Sequence, residues 1–173
     1  MLSTCRFNDL TWEENCKYRE KWYGSISGSI SISGPIYGVP MRMREIIPLD
    51  ILVFVVEMNN SQNKIEGIGL IKNKIVIEQK HYIYSDQNYN RYIYKGDYRI
   101  SREILQQYNL KLVSILDYIL FKGKTHLKRG NGFMRIPDKL LYCEKAERME
   151  IVSEIKSIFL KHFTEKECIK EII

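Results

Sequence analysis

An almost unbroken run of apolar residues extends over positions 51–58, a length and pattern typical of one strand buried on both faces. A polar turn separates it from a second apolar run, residues 65–71, in which Gly67 and Gly69 favour a bulge or a barrel bend. A third run follows at residues 75–80. Sequential strands joined by short turns predict an antiparallel meander that is strongly curved or closed.

Six of the twelve tyrosines lie between residues 81 and 100. Tyr82 and Tyr84 are two positions apart, as are Tyr92 and Tyr94, so each pair shares one face of a strand. We predict two strands joined near residues 86–90 that align the two pairs. The aromatic face is either half-buried in the sheet or a base-stacking surface. Basic residues flank it in the second case: Arg91, Lys95 and Arg99.

Helical periodicity marks three other parts of the chain. A short helix is predicted around residues 11–21, with Thr11 as N-cap and Glu14 at the capping-box position. From the candidate N-cap Ser101, apolar residues recur on one broad face as far as residue 120. Pro137-Asp138 then opens a second helix, whose apolar positions extend to residue 159. Residues 24–40 are rich in Ser and Gly and predict a loop with a short strand.

These elements predict a single domain over residues 1–173. Residues 46–98 would form a mostly antiparallel, strongly curved sheet. Residues 101–163 would form two helices joined by a basic, Gly-rich loop.

That loop, residues 121–135, is the segment with the clearest functional character. It contains no acidic residue, and its cations are Lys122, Lys124, Lys128, Arg129 and Arg135. His126 adds a further titratable group, and three glycines allow backbone N–H groups to approach an anion. Phe121 and Phe133 are interleaved with the charge, a mixture that suits a sugar–phosphate backbone and exposed bases. The alternative is a solvated connection with turn glycines.

Gly123-Lys124-Thr125 resembles the end of a nucleotide-binding P-loop. A P-loop requires another glycine five residues before that glycine, and a strand in front of it. Position 118 is Tyr118, and the preceding residues are predicted to be helical. The segment therefore does not indicate an ATPase or GTPase.

Composition narrows the class of protein. The chain has 173 residues, 45% hydrophobic and 28% charged, which is typical of a globular protein and excludes a disordered one. Its net charge of +6 is concentrated in the basic loop, which favours a nucleic acid or another anionic partner. No apolar run reaches transmembrane length, and the first residues lack the order of a signal peptide. We expect an intracellular protein, in cytoplasm or nucleus, without a membrane partner.

The cysteines are Cys5, Cys16, Cys143 and Cys168, and none forms a CxxC pair. No histidine stands at finger-like spacing from them. We therefore expect reduced thiols, no structural metal and no cofactor.

Residues 47–56, Ile-Pro-Leu-Asp-Ile-Leu-Val-Phe-Val-Val, and residues 65–71, Ile-Glu-Gly-Ile-Gly-Leu-Ile, resemble the central strands of the PUA-like superfamily. That superfamily includes the EVE and YTH domains. The resemblance covers about residues 46–72. It implies an α+β fold: a small curved antiparallel β-barrel with flanking helices and a C-terminal helical hairpin. It also implies RNA or DNA carrying a modified base as ligand, with the base held in an aromatic cage. The candidates for this cage are Trp12, Trp22 and Tyr23.

A second resemblance rests on Asn90-Arg-Tyr-Ile-Tyr94, on residues 121–133 and on Ile136-Pro137. These segments resemble uncharacterised proteins of large DNA viruses of eukaryotes. This resemblance implies a viral protein, present in the viral factory, and no particular activity.

The function predicted from these observations is non-enzymatic binding of a nucleic acid, either RNA or single-stranded DNA, with RNA favoured. The loop cations would neutralise phosphates. Contacts to bases would come from His126 and some of Tyr89, Tyr92 and Tyr94, with Arg91 as a flanking nucleic-acid-binding residue. The oligomeric state stays open.

Two alternatives remain open at this stage. The protein could be an enzyme acting on nucleic acid, a nuclease or processing factor, with His126 as acid or base and Asp86 or Glu57 as its partner. It could instead be a viral structural or adaptor protein that docks through an exposed apolar stripe along residues 140–159.

Overall fold

A computed structural model describes the chain over residues 1–24, 34–43, 47–122, 126–142 and 149–163. The strands are β1 (Leu2–Phe7), β2 (Ile36–Val39), β3 (Leu52–Asn59), β4 (Lys64–Lys72), β5 (Tyr92–Lys95), β6 (Tyr98–Ser101) and β7 (Met134–Arg135). The helices are α1 (Asp9–Gly24), α2 (Arg102–Phe121), α3 (Asp138–Leu141) and α4 (Ile151–His162), with a 3₁₀ turn at Gln87–Asn90.

Five strands form the main sheet, in the order β6-β4-β3-β1-β7. The β1–β3 pair is parallel, whereas β3–β4, β4–β6 and β1–β7 are antiparallel. A separate two-stranded antiparallel sheet joins β2 to β5. The parallel pair requires a crossover, which begins with α1.

Both faces of the main sheet are covered, as the continuous apolar run of β3 predicts. Phe54, Val56 and Met58 point into a core completed by α2 and α4. Val53 and Val55 point the other way, into a second core shared with the β2–β5 sheet. Trp12 and Tyr18 of α1 pack against this second core. The result is an α+β domain with one sheet between two different layers.

Two predictions are confirmed closely. The apolar runs 51–58 and 65–71 form the antiparallel hairpin β3–β4. The register shifts after Glu57↔Gly67, so Glu66 is the extra residue of a bulge beside the predicted glycines. Ser101 caps α2, its side-chain oxygen accepting a hydrogen bond from the Ile104 N–H.

The predicted third strand at residues 75–80 is wrong. Both edges of β4 are already occupied, by β3 and by β6, so this segment cannot extend the meander. It passes instead beside β5, where the Val76 N–H donates to the Ile93 carbonyl oxygen at 2.8 Å. Ile77 is 84% exposed, which shows that its apolar side chain does not mark a buried face.

The predicted pairing of Tyr82/Tyr84 with Tyr92/Tyr94 is also wrong, because only the second pair lies on a strand, and that strand pairs with β2. The Asn90 side chain supplies the hydrogen bonds that a partner strand would have made. Its Oδ1 accepts from the N–H groups of Ile83 and Tyr84, each at 3.0 Å, and its Nδ2 donates to the Tyr84 carbonyl oxygen at 2.7 Å.

The N-terminal region differs from prediction in two ways. Residues 2–7 form β1, an inner strand that the sequence interpretation missed. Helix α1 begins at Asp9, before the expected Thr11, because Asn8 is the capping residue. Asn8 Oδ1 accepts from the Thr11 N–H at 2.8 Å, and Thr11 Oγ1 accepts from the Asn8 N–H at 3.0 Å.

The second C-terminal helix, predicted as one element from Pro137 to residue 159, is interrupted. Its first part, α3, ends at Leu141, and residues 149–150 are not helical before α4 begins. The apolar positions of both parts are nevertheless buried in the core with α2.

Over the residues described, the two sheets do not join into a closed barrel, so the barrel predicted from the resemblance is not confirmed. None of the described helices combines the length and the apolar character needed to cross a membrane.

Candidate functional site

The basic loop is held at both ends by buried residues. The Leu127 N–H donates to the Leu120 carbonyl oxygen at 2.9 Å, and the Leu127 side chain is buried. Phe133 is buried too, with its ring centroid 5.1 Å from that of Tyr94 and 5.8 Å from that of Tyr37. Phe133 therefore anchors the loop and does not offer a ring to a ligand. The polar residues between the anchors are kept at the surface.

The cations of this loop differ in their surroundings. Lys122 and Arg129 are exposed, Lys128 is half-buried, and Lys124 lies outside the described residues. Arg135 is exposed and forms an ion pair with Asp138 at 3.0 Å. Lys122, Lys128 and Arg129 are thus the described loop cations best placed for an anionic partner.

His126 is half-buried, and its Nδ1 lies 3.4 Å from the Lys128 backbone N–H, which donates to it. Neither predicted acid–base partner fits well. Glu57 is fully buried and bonded to other groups, and Asp86 accepts a hydrogen bond from the Asn88 N–H at 2.9 Å. The arrangement gives His126 no carboxylate partner among the residues described.

The loop also lies against the end of β2. A Cβ added at Gly132, which has φ +64°, would lie 3.4 Å from the Met41 carbonyl oxygen. The next residue, Arg42, has its guanidinium carbon 5.2 Å from the centre of the Tyr92 ring. Arg91 lies on that ring as well, at 6.0 Å. The structure therefore brings the basic loop near Tyr92 and Arg91, which the sequence had suggested separately.

Tyr94, by contrast, is 1% exposed, and its hydroxyl accepts a hydrogen bond from the Met43 N–H at 2.9 Å. Tyr94 is a core residue in this structure. Tyr92 is half-buried and keeps part of its ring at the surface.

The three cage candidates have separate surroundings. The Trp12 ring packs on Phe7 at 5.2 Å and lies under Arg19 and Arg99. The Trp22 ring packs on His81 at 4.9 Å and stacks on Tyr18. Tyr23 donates its hydroxyl to the Gly96 carbonyl oxygen at 3.2 Å. The structure does not gather these three side chains around one space.

A pocket of about 460 Å³ lies beside the basic loop, at the carboxyl ends of the parallel strands β1 and β3. We call it the Arg6 pocket and define it by Arg6, Asn8, Glu14, Asn60, Tyr89 and Gly130. The ends of parallel strands are common positions for ligand sites in α/β sheets. Its volume lies in the range of small-molecule sites.

The loop forms one side of this pocket. Asn60 Nδ2 donates to the Lys128 carbonyl oxygen at 3.0 Å, which fixes the loop backbone against the β3–β4 turn. A Cβ added at Gly130, which has φ +121°, would lie 3.0 Å from Arg6 Nη2 and would collide with the Met134 sulfur. Glycine is therefore required here both for the backbone conformation and for the close approach to Arg6.

Arg6 is the most unusual side chain of the pocket. All three of its guanidinium nitrogens are shielded from solvent, and none has a hydrogen-bond partner among the described residues. Burial lowers the pKa of Arg6 from its ordinary value. Glu14 Oε2 and Asn60 Oδ1 are likewise shielded and unpaired within the described chain.

A second buried polar cluster is fully bonded. Arg99 donates from Nε and Nη2 to both carboxylate oxygens of Glu57, at 2.7–3.0 Å, and the Tyr37 hydroxyl donates to Glu57 Oε1 at 2.9 Å. Burial alone would raise the pKa of Glu57, but Arg99, Arg19 and these hydrogen bonds outweigh it and hold that pKa below its ordinary value. Gly67 leaves the space for this pair, since a Cβ there would lie 2.8 Å from both side chains. We call this the Glu57 cluster, and its geometry is structural.

The adaptor alternative depended on an exposed apolar stripe along residues 140–159. Leu140, Leu141, Ile155 and Phe159 are buried instead, against α2 and the sheet. In the part of the stripe that is described, the apolar side chains serve the core.

The sequence interpretation missed three residues of the Arg6 pocket: Arg6, Glu14 and Asn60. The signal for β1 was present, because residues 2–7 mix apolar and polar side chains in a strand-length segment. The residues around Arg6 in the sequence, however, do not show that this side chain, near the end of β1, lacks a partner. No group of three or more His, Cys, Asp or Glu that could hold a metal ion occurs in the described ranges.

The chain matches no protein-family model, no curated protein and no solved structure. The two family resemblances therefore stay predictions.

Proposed function

We propose that the protein binds single-stranded nucleic acid, RNA in preference to DNA, without catalysing a reaction on it. The binding surface would extend from the Arg6 pocket across the basic loop to Tyr92. The observation that carries the proposal is the position of the loop, whose Gly130 adjoins Arg6 while Gly132 adjoins the strand end next to Arg42. The basic loop thus lies between Arg6 on one side and Arg42 with the half-buried Tyr92 ring on the other.

The charge of this surface supports a phosphate-rich partner. Arg6, Arg42, Arg91, Lys128 and Arg129 all lie along it, and the net charge of the chain is +6. Lys and Arg on a nucleic-acid surface neutralise backbone phosphates and release counterions, which gives affinity without sequence preference.

Aromatic rings at both ends support contacts with bases. Tyr92 carries Arg42 and Arg91 on its ring, and Tyr89 lines the pocket with its ring centroid 6.0 Å from that of Tyr84. Partly exposed tyrosine rings on a cationic surface are suited to stacking on splayed bases of a single strand. Recognition of a modified base, and a PUA-like relationship of the sheet, are finer parts of the same proposal. The β3–β4 hairpin, with its bulge at Glu66 beside Gly67, supports only the PUA-like relationship.

The test is a salt titration of oligonucleotide affinity for three proteins. One is the wild type. The loop variant replaces Lys122, Lys128 and Arg129 with Gln. The control variant replaces Lys72, Lys111 and Lys161 with Gln, which removes the same charge from exposed positions outside the proposed surface. We expect the loop variant to lose affinity and to lower the salt slope by about 2, since each phosphate contact on a single strand contributes about 0.7.

The control variant should keep most of the slope. Lys72 lies at the end of β4 away from the turn that contacts the loop, and Lys111 and Lys161 lie on α2 and α4, which cover the face of the main sheet opposite to Tyr92. Melting curves check that all three proteins are folded. Equal affinity and equal slope for the wild type and the loop variant would show that the loop is only a solvated connection.

A further inference from the structure

The Arg6 pocket contains shielded polar groups that have no partner among the described residues. Arg6 is a cation without a partner, whereas Glu14 Oε2 and Asn60 Oδ1 are acceptors without donors, all within the described chain. A buried polar group that lacks a hydrogen bond is unfavourable, so native proteins rarely keep several in one place without a reason. Three such groups around one pocket indicate a ligand with complementary chemistry.

The cation specifies an anionic group on that ligand. A guanidinium is planar and matches the oxygens of a phosphate with two parallel hydrogen bonds. Gly130 holds the loop backbone close to Nη2, so an oxygen bound by Arg6 would also lie near residues 128–130 of the basic loop. A phosphate at this position would convert an unpaired buried charge into a paired one.

The acceptors specify hydroxyl or amino groups on the same ligand. Glu14 Oε1 accepts from the Ser85 N–H at 3.0 Å, which fixes the carboxylate and leaves Oε2 without a partner in the described chain. A carboxylate that meets a phosphate would repel it, whereas a carboxylate that meets sugar hydroxyls accepts their hydrogen bonds. The phosphate therefore belongs on Arg6, and the sugar belongs near Glu14.

A ring on the ligand would complete the fit. Tyr89 and Tyr84 form an edge-to-face pair at the pocket wall, and Leu10, 59% exposed, stands at the pocket as an apolar side chain. An aromatic base can pack against such a wall. Phosphate, hydroxylated sugar and base together describe one molecule.

We propose that the Arg6 pocket binds a ribonucleotide with a terminal phosphate, the phosphate on Arg6 and the ribose hydroxyls on Glu14. This inference rests on the proposed function for its setting, and it adds the ligand class of the pocket. The terminal phosphate can belong to a free mononucleotide or to the end of an RNA strand. A terminal phosphate has one substituent and enters a pocket by one opening, which a phosphate inside a strand does not do.

The first measurement is calorimetric titration of the whole protein. The probes are the four ribonucleoside 5′-monophosphates, and then the tightest of them beside its nucleoside, its 2′-deoxy counterpart and inorganic phosphate. We expect the monophosphate to bind at least about tenfold more tightly than the nucleoside, because a hydrogen bond to a charged group is worth about 1.5–3 kcal/mol. It should exceed the 2′-deoxy compound by about threefold or more.

Variants then assign each preference to a residue. Arg6→Met should abolish the phosphate preference, and Arg6→Lys should restore part of it, since the charge returns without the planar fork. Glu14→Gln should reduce the preference for ribose over deoxyribose and leave the phosphate preference in place. Glu13→Gln is the matched control, because Glu13 is an exposed neighbour on α1 that pairs with Lys17. It should change neither preference.

RNA hexamers with a 5′-phosphate, a 3′-phosphate or hydroxyl ends identify the source of the phosphate. Tighter binding of a phosphorylated hexamer than of the hexamer with hydroxyl ends assigns the pocket to strand ends. Equal binding of the three hexamers, beside a wild-type preference for the monophosphate over the nucleoside, assigns it to free nucleotides. Equal binding of nucleoside and monophosphate by the wild type would overturn the inference. So would an unchanged phosphate preference in folded Arg6→Met.

The two proposals fail separately. The loop variant lowers the salt slope for long oligonucleotides and leaves the monophosphate preference in place. If the loop has no role, the loop variant keeps the wild-type salt slope, and the monophosphate preference is unaffected. If the pocket has no role, only the preferences that depend on Arg6 and Glu14 are lost.

Discussion

The Glu57 cluster and the Arg6 pocket are two buried polar regions on adjacent strands, and they differ in completeness. In the first, Glu57, Arg99 and Tyr37 bond one another at 2.7–3.0 Å. In the second, Arg6 and Glu14 hold atoms that lack partners in the described chain. A completed network stabilises and orients a core, whereas an incomplete one lowers stability unless a ligand completes it. Buried charge is therefore structural in the Glu57 cluster, whereas the unpaired charge of the Arg6 pocket is what the proposed ligand would complete.

The largest expected effect concerns the stability that the Glu57 cluster contributes. Arg99→Met should lower the free energy of unfolding by about 3–5 kcal/mol, because it leaves the fully buried carboxylate of Glu57 without its cation. Urea unfolding at neutral pH measures this. Arg102→Met is a control on the next helix, where the pair with Asp117 is partly exposed and the loss should be smaller. If the two variants lose equal stability, the Glu57 cluster is not the structural centre described above.

The opposite result is expected for Arg6→Met. Stability should stay unchanged or rise by up to about 2 kcal/mol, because the change removes a shielded charge that lacks a partner. A stability gain with a loss of binding is the pattern expected of a functional residue. The same urea series measures it. A loss comparable to that of Arg99→Met would show that Arg6 is structural and would remove the contrast.

The smallest expected effect concerns His81, whose hydrogen bonding is partly complete and so lies between those of the two regions. Its Nδ1 lies 2.8 Å from the Tyr18 hydroxyl, while its Nε2 is shielded and has no partner within the described residues. Burial, and to a smaller extent Lys95, lower the pKa of His81 from 6.5. A lowered pKa means that the unfolded chain binds the proton more readily, so stability is complete above pH 6.5 and is lost as pH falls towards the folded-state pKa.

Unfolding of wild type and His81→Phe at pH 7 and pH 5 checks this. The wild type should lose more stability between the two values than the variant. Burial lowers the pKa of His162 in the same direction, so the loss should shrink in the variant and not vanish. An equal loss in both proteins would show that His81 does not contribute to this pH dependence.

Local sequence was sufficient for a part of the fold. The β3–β4 hairpin follows from two apolar runs separated by a polar turn, and the start of α2 follows from Ser101 and a helical period. These signals lie within a few residues of the element that they specify, which is why pattern and capping chemistry find them. The basic loop and Tyr92 were found in the same way, as one-signed charge and as an aromatic strand residue.

The remainder depended on contacts between distant parts of the chain. The place of β1 beside β3 joins Leu2 to Phe54 in a parallel register, and the Asn90 side chain replaces a strand partner for residues 83 and 84. The sequence determined which residues are charged, apolar or able to bend. Only the tertiary structure decided that Arg99 meets a carboxylate and that Arg6 meets a pocket, because burial and pairing depend on what the folded chain brings to each side chain.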